Sequence, residues 1–173
     1  MEDMKQVKII TAQEAAQLVK DGDVVTTNGF VGSGQPEALT SALEERFLNT
    51  GSPKDLTLIY AASQGNTDGR GGDHFAHEGM LKKAILGHWN AVTSLQKLVN
   101  ENKIQAYNLP QGTLSQYFRD VAAHRLGTIT HVGSIPLPTP ASAAAASMTS
   151  PKKILSKSST SKAMTSSSIR AWI

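Results

Sequence analysis

Between residues 7 and 132 this chain alternates short β-branched runs with helical runs, and that alternation restricts its fold more than anything else in it. In "VKIITAQEAAQLVKDGD", Thr11 stands three residues before Glu14, the spacing of a capping box. Ala15, Leu18 and Val19 follow at helical intervals, and Asp21-Gly22 stops the helix. "VVTTNGF" is a strand, and "PEALTSALEERFL" a helix with Pro36 in its first turn and a stripe of Ala38, Leu39, Leu43, Phe47 and Leu48. "DLTLIYAA" is apolar on both faces, as a strand inside a parallel sheet must be. Further strands are predicted at "KKAILGHW", "IQAYNL" and "TITHVG", and helices at "SLQKLVNENK" and "GTLSQYFRDVAAHR". Strands separated by helices imply parallel βαβ units with right-handed crossovers. The expected fold class is α/β: an open, mostly parallel sheet flanked by helices.

After Gly133 the character changes. The last 40 residues carry 11 serines, no glycine and no acid, and show neither strand nor helix periodicity. By composition they are a disordered, low-complexity tail. The boundary is therefore set at 1–133 for the domain and 134–173 for the tail. The net charge of +3 divides at the same place: the tail carries +5 and residues 1–133 carry −2. A basic tail with few aromatic readers is no nucleic-acid surface. With no cysteine, thiolate metal sites and cysteine nucleophiles are excluded. No apolar run reaches the ~18 residues that span a bilayer, and the N-terminus lacks a secretory core, so a cytoplasmic protein without membrane contact is expected.

The chemical signal lies in "NGFVGSGQPE", which follows a predicted strand and precedes a helix. In such sheets ligands bind where loops leave the carboxyl ends of strands. Gly29, Gly32 and Gly34 would let a ligand approach the backbone, and the unpaired amides of the loop and of the following helix start would favour a phosphate or an oxyanion. The glycines do not form G-x-G-x-x-G, no Walker lysine follows, and a plain turn would use them equally well. Ser33 lacks the G-x-S-x-G elbow of a serine hydrolase. His74 and His77 have ligand spacing but no identifiable third partner, so no metal is expected. His88, beside Trp89, reads as a packing histidine. Glu37, Glu44 and Glu45 read as first-turn or solvated acids, and Glu78 as part of the packing of its loop.

"DGDVVTTNGFVGSGQPE" resembles the first signature of the family I CoA-transferases, those acting on 3-oxo acids, acetate and propionate. Asp21, Gly22, Gly29, Phe30, Gly34 and Pro36 match that signature, and Asn28 replaces its first glycine. "AHEGMLKKAILGHW" and "NKIQAYNLPQGTLSQYFRDVAAHRLG" are similar to the acyl-CoA:acetate branch in particular. The resemblance covers about residues 7 to 133. It implies transfer of CoA from a short-chain acyl-CoA to a free carboxylic acid, as in short-chain fatty acid and ketone-body metabolism. A coenzyme A thioester would be the substrate and no cofactor would be bound. In the family a glutamate attacks the thioester and carries CoA as a glutamyl thioester. Gly29, Gly32 and Gly34 would lie near the reacting carbonyl, and Gln111, in "LPQGTL", would hydrogen-bond the substrate. The resemblance places the catalytic glutamate in a second half that has no counterpart here, so no catalytic residue is assigned and the chain alone is expected to be inactive.

The tail is compatible with misread nucleic acid. Codons can be chosen for residues 134–145 and 150–164 so that, read one base earlier, they spell LHTFADPRQRGG and VTKEDLVKVVDIKGH. Both windows use the same offset and both resemble the family in the expected order. A frameshift near codon 134 of a longer gene is the expectation. The rivals are an intact α subunit served by a β-type partner subunit, a non-catalytic CoA-binding module, and a sugar-phosphate-isomerase-like domain. An oligomer of the chain itself is also compatible with the sequence.

Overall fold

A computed structural model describes residues 8–130, 132 and 169–172. Helix α1 (Ala12–Ala16) opens with the expected capping box: Glu14 N–H donates to Thr11 Oγ1 at 3.2 Å, and Thr11 N–H donates to Glu14 Oε2 at 2.8 Å. A helix this short is marginal by itself. Arg46 of α2 (Glu37–Thr50) supports it by donating from Nη1 to the carbonyls of Ala16 and Val19, at 2.6 and 2.7 Å. Of the apolar stripe expected on α2, Leu43 is buried and Phe47 packs on the core, whereas Ala38 and Leu48 face solvent. The inner face takes Thr40 and Ala42 instead.

Strands β1 (Val24–Thr27), β2 (Leu56–Tyr60), β3 (Leu81–Leu86), β4 (Gln105–Asn108) and β5 (Ile169–Trp172) form one parallel sheet in the order β4-β3-β2-β1-β5. Every residue of β2 is buried, as its unbroken apolar run predicts. Its pleat divides the core. Leu56, Leu58 and Tyr60 face α1, α2, a 3₁₀ turn (Gly71–Phe75) and α3 (Thr93–Asn100), together with Val19, Phe75, Met80, Val92 and Leu95. Ile59 points the other way, to Val24 and to Leu114 of α4 (Gln111–Ala122), where Tyr117 and Phe118 also pack. Each fully buried aliphatic side chain contributes about 1.5–3 kcal/mol, so the first face supplies most of the stability.

The chain steps from β1 to β4 in one direction with its helices on one face, and α4 then crosses to the other. A switch of this kind opens a crevice at the carboxyl ends of the strands.

One expectation needs correction. "TITHVG" was expected as the fifth strand, yet residues 127–130 have no regular structure. Asp120 of α4 accepts hydrogen bonds from Thr128 Oγ1 at 2.7 Å and Arg125 Nη1 at 3.0 Å, which folds this stretch back onto its helix. The outer edge of β1 instead pairs with β5, in the register Val24↔Ile169 to Thr27↔Trp172. An open parallel edge is a template for extended backbone, and these four residues of the tail supply it. The rest of the tail lies outside the described residues.

Candidate functional site

Residue 29 must be glycine on two grounds. Its φ is +137°, and a Cβ there would stand 2.9 Å from the Gln35 nitrogen. The next four residues close a tight turn, in which Phe30 N–H donates to the Ser33 carbonyl and Ser33 N–H to the Phe30 carbonyl, both at 2.9 Å. Val31 sits in this turn at φ +53°, a conformation costly for a β-branched residue. The loop after β2 holds it there: Val31 N–H donates to the Ser63 carbonyl at 2.7 Å, and Gly65 N–H donates to the Val31 carbonyl at 3.0 Å.

Gln64 ties that loop to β1. It is buried, receives Thr27 Oγ1 on its Oε1, and donates from Nε2 to the Thr27 carbonyl at 2.7 Å. Sequence reading missed it. Its partner lies 37 residues away, and a lone glutamine in a polar loop carries no local signal.

At this end of the sheet lies a cleft of about 610 Å³, lined by Thr27, Asn28, Gly29, Phe30, Ala61, Ala62, Gln64, Gln111, Ser115 and Phe118. A second cleft of about 560 Å³ shares Phe30, Ala62 and Gln111 with it. This one is more apolar and reaches Val31, Gly87, His88 and Ala91. The structure thus brings Gly29 and Gln111, far apart in sequence, to one place. Gln111 is the first residue of α4, where the amides of residues 111–113 donate to no group among the described residues. Both clefts offer amides, hydroxyls and apolar surface, and neither is lined by a carboxylate.

Gly32 and Gly34 lie outside both linings, on the solvent side of the turn. Gly34 needs its φ of +69°, whereas a Cβ on Gly32 would approach nothing closer than Asn66 Cβ at 4.0 Å. The amides of both glycines are unpaired among the described residues. The start of α2 is less open than expected. Glu37, Leu39 and Thr40 donate their N–H groups to the carbonyls of Gln35 and Pro36, leaving the Ala38 amide unpaired among the described residues. The first turn of α4, not that of α2, borders the cleft.

The acids and histidines are also placed differently from the sequence reading. Glu37 does occupy the first turn of α2, but it is no solvated acid. It accepts hydrogen bonds from Gly71 N–H at 3.0 Å and Gln35 Nε2 at 3.2 Å, and it lies 2.9 Å from His74 Nε2. Glu44 bridges His74 Nδ1 and His77 Nε2, each at 2.5 Å. Among the described residues no three such side chains converge to hold a metal ion. His88, read as a packing histidine, is exposed at the mouth of the second cleft; burial depends on the tertiary fold and leaves no local mark. Glu45 faces solvent, and Glu78 pairs with Lys103.

A glycine turn at the end of the first strand, a glutamine at the start of a helix and a crevice at the carboxyl ends of a parallel sheet make the kind of cleft in which α/β proteins bind small molecules. The coenzyme A transferase family model matches residues 9–159, and the chain belongs to that family. The match runs past residue 133, where the domain boundary was expected. The chain is 37% identical over 129 residues to the acetate CoA-transferase YdiF of Escherichia coli K12, an alignment covering 73% of this chain and 24% of YdiF. It is 35% identical over 126 residues to the caffeate CoA-transferase of Acetobacterium woodii, again over 73% of this chain and 24% of that protein. The crystal structure of YdiF from E. coli O157:H7 in a thioester complex with CoA superposes with a TM-score of 0.71 at 35% identity, covering 74% of this chain and 25% of that one. The chain thus spans about a quarter of the length of these relatives.

Proposed function

We propose that this chain supplies the thioester-facing part of an enzyme that moves CoA between a short-chain acyl-CoA and a free carboxylic acid. The observation that carries this reading is the cleft itself. In a CoA-transferase sequence, Gly29 and Gln111 share a crevice that is rich in hydrogen-bonding groups and free of carboxylates among the described residues. The Gln111 amide and the open first turn of α4 are suited to the carbonyl oxygen of a thioester, where charge develops during attack. The attacking carboxylate then has to come from outside these residues, and in the proposed reaction it takes the acyl group before it takes CoA. Coenzyme A enters as substrate.

The chain alone is accordingly inactive. We further propose that residues 134–173 are out-of-frame translation, which sequencing the DNA through codons 130–175 tests directly. Acetyl-CoA and propionate incubated with the purified chain should give no propionyl-CoA above the uncatalysed rate. Turnover by the isolated chain would refute the reading.

A second reading has support from one relative. The chain is 29% identical over 126 residues to the α subunit of an E. coli acetate CoA-transferase and covers 54% of it. On this reading a separate β-type subunit brings the glutamate. A neighbouring reading frame encoding such a subunit, and turnover when the two are mixed, distinguish it from the first.

A further inference from the structure

The glycine turn is followed at once by Glu37, and Glu37 belongs to a chain of four titratable side chains that the cleft chemistry does not use. Its order is Glu37, His74, Glu44, His77. Glu37 and Glu44 are seven residues apart, so they lie on one face of α2, two turns apart. His74 comes from the 3₁₀ turn and His77 from the residues after it.

His74 is the pivot. Its side chain is only 10% exposed, and each ring nitrogen lies within hydrogen-bond distance of a different carboxylate. A neutral imidazole has one N–H and one lone pair, so it cannot donate to both. With both carboxylates ionised, only the imidazolium satisfies this geometry. We infer that His74, held as an imidazolium between Glu37 and Glu44, is a positioning residue that fixes the glycine turn against the segment 71–75.

The connection is short. Through Glu37 Oε1 the charge on His74 anchors a carboxylate whose other oxygen receives Gly71 N–H and Gln35 Nε2. Gln35 closes the far side of the turn, and its backbone nitrogen is the atom that a Cβ on Gly29 would strike. Loss of the His74 proton points a lone pair at one of two carboxylates, and the clamp on the turn loosens. The charged and titratable groups around His74 are Glu37 and Glu44 on α2, Asp73 beside it in the 3₁₀ turn, His77 beyond, and Tyr60 on β2, which interacts with Asp73. Helix α3 contributes the amides of Ser94 and Leu95, both donated to Asp73 Oδ1. Burial pulls the His74 pKa down, and the hydrogen bonds and charges of Glu37 and Glu44 outweigh it, so the net shift is upward.

The test uses the isotope-labelled full chain and does not depend on what the cleft binds. A pH titration is followed by NMR at the His74 ring and at the amides of Gly34, Gln35 and Gly71. His74 should carry protons on both nitrogens at neutral pH. The three amides should shift with the midpoint of His74. Glu44→Gln supplies the discriminating variant. There a neutral His74 donates from Nε2 to Glu37 and accepts at Nδ1 from the new amide, while the amide oxygen still serves His77. The alkaline response of the turn should therefore be lost while the fold is kept. A singly protonated His74 at neutral pH, turn amides indifferent to its titration, or an unchanged response in Glu44→Gln would each overturn the inference.

Discussion

Among the glycines of the turn, backbone conformation separates the required from the permissive. Gly29→Ala places a Cβ 2.9 Å from a backbone nitrogen at a φ of +137°, so we expect a loss of about 1–3 kcal/mol or more in urea unfolding. Gly32→Ala meets open space, and its unfolding midpoint should be unchanged. Gln111 is exposed, so Gln111→Ala should leave stability intact and weaken ligand binding alone. His74 gives the domain a pH signature. Its folded pKa is raised above the ordinary 6.5, so its contribution is full below that value and is lost as pH rises through the folded pKa. Thermal melts should therefore fall on the alkaline side of the His74 titration, and in Glu44→Gln this fall should shrink.

The elements show which parts of the sequence speak locally. The capping box of α1 is legible because Thr11 and Glu14 are three residues apart, and β2 is legible because a strand buried on both faces needs an unbroken apolar run. What holds α1 in place is not legible, since Arg46 reaches it from 27 to 30 residues away. Arg46→Ala leaves two carbonyls without their charged donor and should cost about 1.5–3 kcal/mol, measured as a lowered denaturant midpoint. The same limit explains the missed link from Glu37 through His74 to Glu44, whose members stand 30 and 37 residues apart. "TITHVG" has strand composition, yet the Asp120 carboxylate captures Thr128 and Arg125. The Asp120 pKa is lowered by its hydrogen bonds, led by Thr128, so this fold-back should loosen as pH falls through it.

On the scale of the whole molecule, one face of the sheet is well covered and the other thinly. The side with α1, α2 and α3 holds most of the buried residues, while α4 buries only Leu114 and Asp120. Phe30 and Val31 at the tip of the glycine turn are 64% and 41% exposed, and Leu126 and Ile129 stand almost fully in solvent. The parallel sheet was readable from the alternation of elements, its strand order was not, and Gly29 and Gln111 were named from the family motif. That they face one cleft, and that Gly32 and Gly34 do not, could come only from the folded backbone. The central claim is that this cleft receives the thioester while the attacking carboxylate comes from elsewhere. Titration of the isotope-labelled chain with acetyl-CoA, followed by amide NMR, tests it most directly. Resonances of Gly29, Gln64 and Gln111 should shift together and saturate while acetyl-CoA stays intact. Perturbation confined to residues remote from the cleft, or acetyl transfer to an acid of this chain, would contradict it.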